Sequence, residues 1–296
     1  MNIILIGHEG YLGSGMYSYL SRKHKVFGWD RKENMFSLDA AYLAQNQIEM
    51  VINMSVALDR HGKNFQVGSP SDEVNVGGAR HLAKILKGTE IAWIQMSTRE
   101  VLGPIYRRDD VVDTPAGFRG KFLIHEEYPY APLNSYGKSK VMSEFISESH
   151  PNSNVIRLTT CYTDHGNSPG SWVVNLIKAV VKGQPVSLTQ GGLQFRDPLH
   201  VDDLARLIEL LHVKKVRGEK IHAGGGANNL ISLREFVEIA QPGTEIKTAD
   251  GGDFGFAFDI AKAHRLTGWN PQVLIREKIP VIAQNIRREL EASAAP

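Results

Sequence analysis

The chain has 296 residues, 42% of them hydrophobic and 22% charged; these are the proportions of a folded globular protein and exclude a disordered, collagen-like or low-complexity chain. Lysine and arginine number 34 against 32 aspartate and glutamate, a formal charge of +2, so no electrostatic footprint for nucleic acid is present. The single cysteine, Cys161, excludes an intrachain disulfide framework and any multi-cysteine metal site, and it fits a reducing, cytoplasmic compartment.

The first apolar run, residues 3–6, is too short for a signal peptide and is not preceded by a basic region. No apolar stretch approaches the roughly 18 residues of a membrane span. Residues 3–6 instead suit a strand buried on both faces. A glycine turn follows, with Gly7, Gly10 and Gly13 spaced three apart, then a helix-compatible stretch over 16–22 and a second strand over 26–29 that ends at Asp30. Strand, glycine turn, helix, strand and acidic residue make a βαβ opening. Glycines let a backbone approach a pyrophosphate without a Cβ, and the helix start offers N–H donors and a positive dipole end. The Asp30 carboxylate suits both hydroxyls of an adenosine ribose and repels a 2′-phosphate, which favours NAD over NADP; Arg31, next in sequence, partly reverses that preference.

Further alternation follows: helix over 40–45, strand over 50–54, helix over 75–86, strand over 91–96, helix over 135–149 and strand over 154–158. This pattern predicts a Rossmann-like, doubly wound parallel sheet. The segment 103–132 breaks the rhythm, being rich in charge, proline and aromatics, and reads as a flap near the strand ends. Beyond residue 160, helical patterns over 173–182, 202–211 and 277–290, and a capping-box spacing from Ser232 to Glu235, predict a smaller α/β substrate lobe. The expected division is 1–160 for the cofactor half and 161–296 mainly for the lobe, with some segments returning to the sheet.

Tyr136 and Lys140 stand four apart, on one face of a predicted helix. A neighbouring ammonium stabilises a phenolate, and such a phenol takes a proton from a substrate hydroxyl while hydride leaves the same carbon. The same spacing also occurs on solvated helix faces. Thr98 ends the strand 91–96 segment with a hydroxyl that suits the substrate oxygen, and Glu100 offers a carboxylate base; strand-end capping is the plain alternative for both. Eleven histidines include no pair with metal-ligand spacing beside carboxylates.

Taken in order, these motifs resemble the extended short-chain dehydrogenase/reductases, specifically the NAD-dependent nucleotide-sugar epimerase/dehydratase group. Gly7-x-x-Gly10-Tyr11-Leu12-Gly13 resembles its phosphate loop, the 51–55 strand ending at Ser55 its fourth strand, and Asn75-Val76-x-Gly78 its helix start. Ser97-Thr98-x-Glu100 and Tyr136-x-x-x-Lys140 resemble the active strand end and pair; Arg196-Asp197-Pro198 and the Gly268-Trp269-Asn270-Pro271 turn resemble its later motifs. The resemblance implies an enzyme with Thr98, Tyr136 and Lys140 as the hydride-transfer triad. It implies NAD held by the glycine loop, Asp30, Ser55, Asn75, Tyr136 and Lys140, and a nucleotide-sugar substrate touched by Thr98, Thr160 and Arg196. Arg196 would face the substrate diphosphate, with a lobe-stabilising ion pair as its alternative. A homodimer through the helices 75–86 and 135–149 is implied too. Glu100 points to a dehydratase or uronate decarboxylase. Arg99, however, stands where dTDP-glucose-type dehydratases carry an aspartate, and the short 30–39 segment resembles the 4-ketosugar reductases. These features leave open the reaction subtype, and also a cofactor-binding regulatory protein without turnover.

Overall fold

The computed structural model describes residues 1–30, 33–59, 62, 64–164 and 171–294. β1 (Asn2–Ile6) shows why an unbroken apolar run is needed at the start. Successive strand side chains point to opposite faces, so Ile3 and Leu5 enter one core while Ile4 and Ile6 enter another. α1 (Tyr11–Leu20) starts directly after the glycine turn, with Gly10 as its N-cap, instead of at residue 16. β2 (Lys25–Trp29), α2 (Ala40–Gln45) and β3 (Met50–Asn53) follow, α2 being capped by Asp39, whose carboxylate accepts the Tyr42 N–H at 2.7 Å. The helix expected over 75–86 is two pieces, a π-helical turn (Ser71–Gly77) running into α3 (Gly78–Ile85).

β4 (Ala92–Thr98), β5 (Val111–Thr114), β6 (Gly117–Gly120), α4 (Ser135–Ser147) and β7 (Ser153–Leu158) complete the first half. β8 (Cys161–Tyr162), α5 (Trp172–Val181), β9 (Val186–Thr189), β10 (Phe195–Arg196), β11 (Leu199–His200), α6 (Val201–Val213) and β12 (Glu219–Ala223) come next. The chain ends with β13 (Ile231–Ser232), α7 (Leu233–Ala240), β14 (Ile246–Ala249), α8 (Ala261–Thr267) and α9 (Ile275–Ala294).

Among the described residues, the central sheet has six parallel strands in the order β12-β7-β4-β3-β1-β2. α1, α6 and α8 cover one face and α2 and α3 the other. One of its two edge strands, β12, comes from beyond residue 160 and pairs with β7 from Glu219↔Asn154 to Ala223↔Leu158. Apart from it, α5, α7 and α9 pack around Ile177, Phe236 and Ile279. Ser232 caps α7 by accepting the Glu235 N–H at 3.0 Å, at the capping-box spacing.

The aperiodic segment 103–132 is neither an idle loop nor a bare flap. It holds the β5–β6 hairpin, and Tyr106, Phe118 and Ile124 are buried with Phe195, Phe256 and Phe258. Its apolar partners come from far along the chain, so no local period could announce it. Among the described residues, no helix is long and apolar enough to cross a membrane.

Candidate active site

Ligands of parallel sheets bind beyond the carboxyl ends of the strands, at the point where crossovers reverse direction. Here that point lies between β1 and β3, since β2 is added on one side of β1 and β3 on the other. The glycine turn sits on it. Gly7 has φ +84°, a left-handed conformation that side chains avoid, and a Cβ there would meet the Ser55 nitrogen at 3.1 Å. A Cβ on Gly13 would lie 1.9 Å from the Gly7 carbonyl oxygen, so α1 is pressed onto the turn as closely as a backbone allows. Tyr11, Leu12 and Gly13 form the first turn of α1, where the leading N–H groups have no partner within the helix and the dipole is positive. The Tyr11 hydroxyl reaches across and accepts the Thr163 N–H at 3.1 Å. Asp30 closes the turn from the end of β2, its carboxylate accepting the Glu9 N–H at 2.8 Å. Ser55 donates to the Asn53 side chain at 2.6 Å. Arg31 lies outside the described residues.

Two strands along, at roughly 10 Å from β1 given about 4.8 Å per strand, β4 ends at Thr98. α4 starts beside it, capped by Asn134, whose carbonyl accepts the Gly137 N–H at 2.7 Å. The Asn134 amide donates to the Glu100 carboxylate at 2.6 Å, and the α4 backbone at Gly137 lies against the Glu100 carbonyl. Thr98 accepts the Glu100 N–H at 3.3 Å. Tyr136 and Lys140 thus share one face of a helix that is locked to the end of β4. Lys140 is buried and donates to the Met96 carbonyl at 3.1 Å. Burial pushes its ammonium down to about 8, partly offset by Glu144 one turn later. Asn75, in the π-helical turn, holds α4 from behind: its amide donates to the Ala57 carbonyl at 3.0 Å and to Ser139 at 2.9 Å.

Glu144 stands outside every motif of the sequence. It is fully buried, accepts three N–H contacts from Arg157 at 2.9 to 3.2 Å, accepts the Tyr130 hydroxyl at 2.7 Å, and takes a further bond from Ser97. Its signal was present as a continuation of the tyrosine-lysine spacing by four. Asp197 is buried against the Phe258 N–H at 3.0 Å and Thr159, and desolvation raises its carboxyl to about 7.

The residues expected at the substrate are more scattered. Arg196 is buried and paired with Asp253 at 2.9 Å, the arrangement of the lobe-stabilising alternative. The Thr160 hydroxyl accepts the Trp172 indole N–H at 2.8 Å. A cavity of about 240 Å³ opens between the β4 end and the lobe, lined by Arg99, Glu100, Leu133, Asn134 and Asp253 among others. A larger one, about 490 Å³, lies at the amino ends of β7 and β12, away from this chemistry.

A family model described as the NAD dependent epimerase/dehydratase family matches residues 3–224. The chain belongs to that family. Among its curated relatives, a dTDP-glucose 4,6-dehydratase of Haemophilus influenzae is 22% identical, over 94% of this chain and 95% of its own. A UDP-glucuronate 4-epimerase of Thermodesulfobacterium geofontis is 25% identical over 93% and 92%. In structure, the UDP-glucuronic acid 4-epimerase of Bacillus cereus, solved with UDP-glucuronic acid and NAD, superposes with a TM-score of 0.79 at 19% identity, covering 98% of this chain and all of that one. The dTDP-glucose 4,6-dehydratase of Bacillus anthracis, solved with NAD, gives 0.75 at 22% identity over 98% of both.

The chain is therefore an enzyme of an NAD-dependent family with a Rossmann-like fold. Its residues fit that cofactor: the turn is bare of side chains where a Cβ would intrude, a helix start faces it, and a carboxylate stands at the end of β2.

Proposed function

We propose that the chain converts a nucleotide sugar through transient oxidation at C4. The observation that carries this reading is the fixing of Tyr136 and Lys140, by the Asn134 cap and the Asn75 anchor, against the strand end that bears Thr98 and Glu100. Bound NAD supplies a reversible hydride acceptor; the turn around Gly7, Gly10 and Gly13 would hold its pyrophosphate and Asp30 its adenosine ribose. Thr98 positions the C4 hydroxyl. Tyr136 accepts that hydroxyl's proton as the carbon loses hydride, and the nearby Lys140 charge stabilises the phenolate. The resulting ketone acidifies the C5 proton. Glu100, whose carboxylate accepts the Asn134 amide, would take it. Arg196 would leave Asp253 or share its fork to meet the diphosphate. We further propose that two copies pair through α3 and α4, where Phe145 is 56% exposed.

The test incubates the protein and its Tyr136→Phe variant with UDP-, dTDP- and GDP-sugars and follows products by mass and proton spectra. Loss of water identifies a dehydratase, loss of carbon dioxide a decarboxylase, and an unchanged mass with an altered spectrum an epimerase. Steady consumption of added NADPH with a ketosugar would replace this reading with that of a reductase. Equal activity of the variant would remove Tyr136 from the chemistry.

A further inference from the structure

Arg99 occupies the middle of Thr98-x-Glu100 and lines the cavity of about 240 Å³ together with Glu100 and Asp253. Both carboxylates are committed elsewhere. Asp253 is bound to Arg196 at 2.9 and 3.0 Å, and Glu100 accepts the Asn134 amide at 2.6 Å. Arg99 itself is half-buried, and among the described residues it makes no hydrogen bond or ion pair. Its one defined contact is the face of the Phe256 ring, 4.9 Å from the guanidinium carbon. Stacking on a ring uses the guanidinium's face and leaves its in-plane N–H donors unspent. Burial and the like charge of Arg196 lower its affinity for a proton, while the carboxylates of Asp253, Glu100 and Asp197 act on it through space in the opposite sense without bonding to it.

We propose that Arg99 receives the carboxylate of the substrate's sugar, so that the chain acts on a uronate carried by a nucleotide. A planar fork of donors matches a carboxylate in a two-point contact. The position, between the residue that holds the C4 oxygen and the residue that reaches C5, puts that contact on the sugar ring's own substituent, while Arg196 serves the diphosphate. A uronate has no C6 hydroxyl to lose, so dehydration drops out and 4-epimerisation or decarboxylation remains. The inference rests on the nucleotide-sugar reading above.

The test measures binding of UDP-glucuronate, UDP-glucose and UDP to the NAD-loaded protein by calorimetry. UDP-glucuronate is expected to bind at least tenfold more tightly than UDP-glucose. Arg99→Gln should bring that ratio to about one, Arg99→Lys should leave it in between, and UDP affinity should move less than twofold in each. Tight but equal binding of the two sugars, or a ratio unchanged in Arg99→Gln, would overturn the role of Arg99 and leave the nucleotide-sugar reading standing. An equal loss for all three ligands would assign Arg99 to the diphosphate and overturn the proposal likewise. Binding of none would bring down the functional reading and this inference with it.

Discussion

Lys140 carries a charge that the fold pays to bury. Its ordinary value is 10.5 and burial brings it to about 8 in the folded chain, a penalty on the order of 3 kcal/mol against the unfolded state at neutral pH. Between those two values the unfolded chain binds a proton that the folded one lacks, so this group's contribution to stability improves as pH rises from 8 to 10.5. Lys140→Met should therefore abolish turnover and yet raise the urea midpoint of the cofactor-free protein at pH 7. The gain, reduced by the lost bond to Met96, should shrink as the pH approaches 10. Unfolding curves at pH 7 and 10 for both proteins would check the sign; a destabilised variant at pH 7 would show that the ammonium is better solvated than its burial implies. At this scale the sequence was informative about Tyr136 and Lys140 because their spacing is a helical period. Asn134 and Glu144 escaped it, the first because a cap that also grips a glutamate 34 residues earlier has no local signature, the second because a carboxylate on a helix reads as solvent-facing until its arginine is known.

Among the elements, the glycine turn with α1 was the most legible and also the most displaced. A search for helix formers starts the helix at residue 16, since Gly13 and Gly15 weaken the pattern before it. Gly13 is there because the helix must begin against the turn, and Gly15 because Val201 and Thr163 crowd its other side. Gly13→Ala forces a Cβ to within 1.9 Å of the Gly7 oxygen unless the backbone yields. NAD should then bind about a hundredfold more weakly, roughly 3 kcal/mol, and the rise in melting temperature that NAD gives the parent by mass action should vanish. A thermal shift titration reads both; undiminished NAD binding would mean the turn relaxes without cost. The π-helical turn at Asn75 has no periodic signal of its own, and the partners of Asn75, Ala57 and Ser139, lie 18 and 64 residues away. The β5–β6 hairpin likewise depends on Phe195 and Phe256 for its core, so its own residues could not disclose it.

At the scale of the whole molecule, the parallel sheet was readable from alternation alone, because strands buried on both faces need continuous apolar runs. What pairs with what across the lobe was not readable, since those contacts join residues far apart in sequence. Phe145 is a large apolar side chain on the outer face of α4, beside Tyr130 at 5.5 Å between ring centroids. Sedimentation at micromolar concentration should give a dimer, and Phe145→Asp a monomer of unchanged helicity; a parent that sediments as a monomer would remove the claim. β12 arrives only after β8, α5 and α6 have been made, yet it seals the β7 edge. During synthesis the cofactor half must therefore wait, its flank unprotected, until residue 223 has left the ribosome. A stop codon anywhere before that point should yield an aggregating fragment, not a smaller NAD-binding protein.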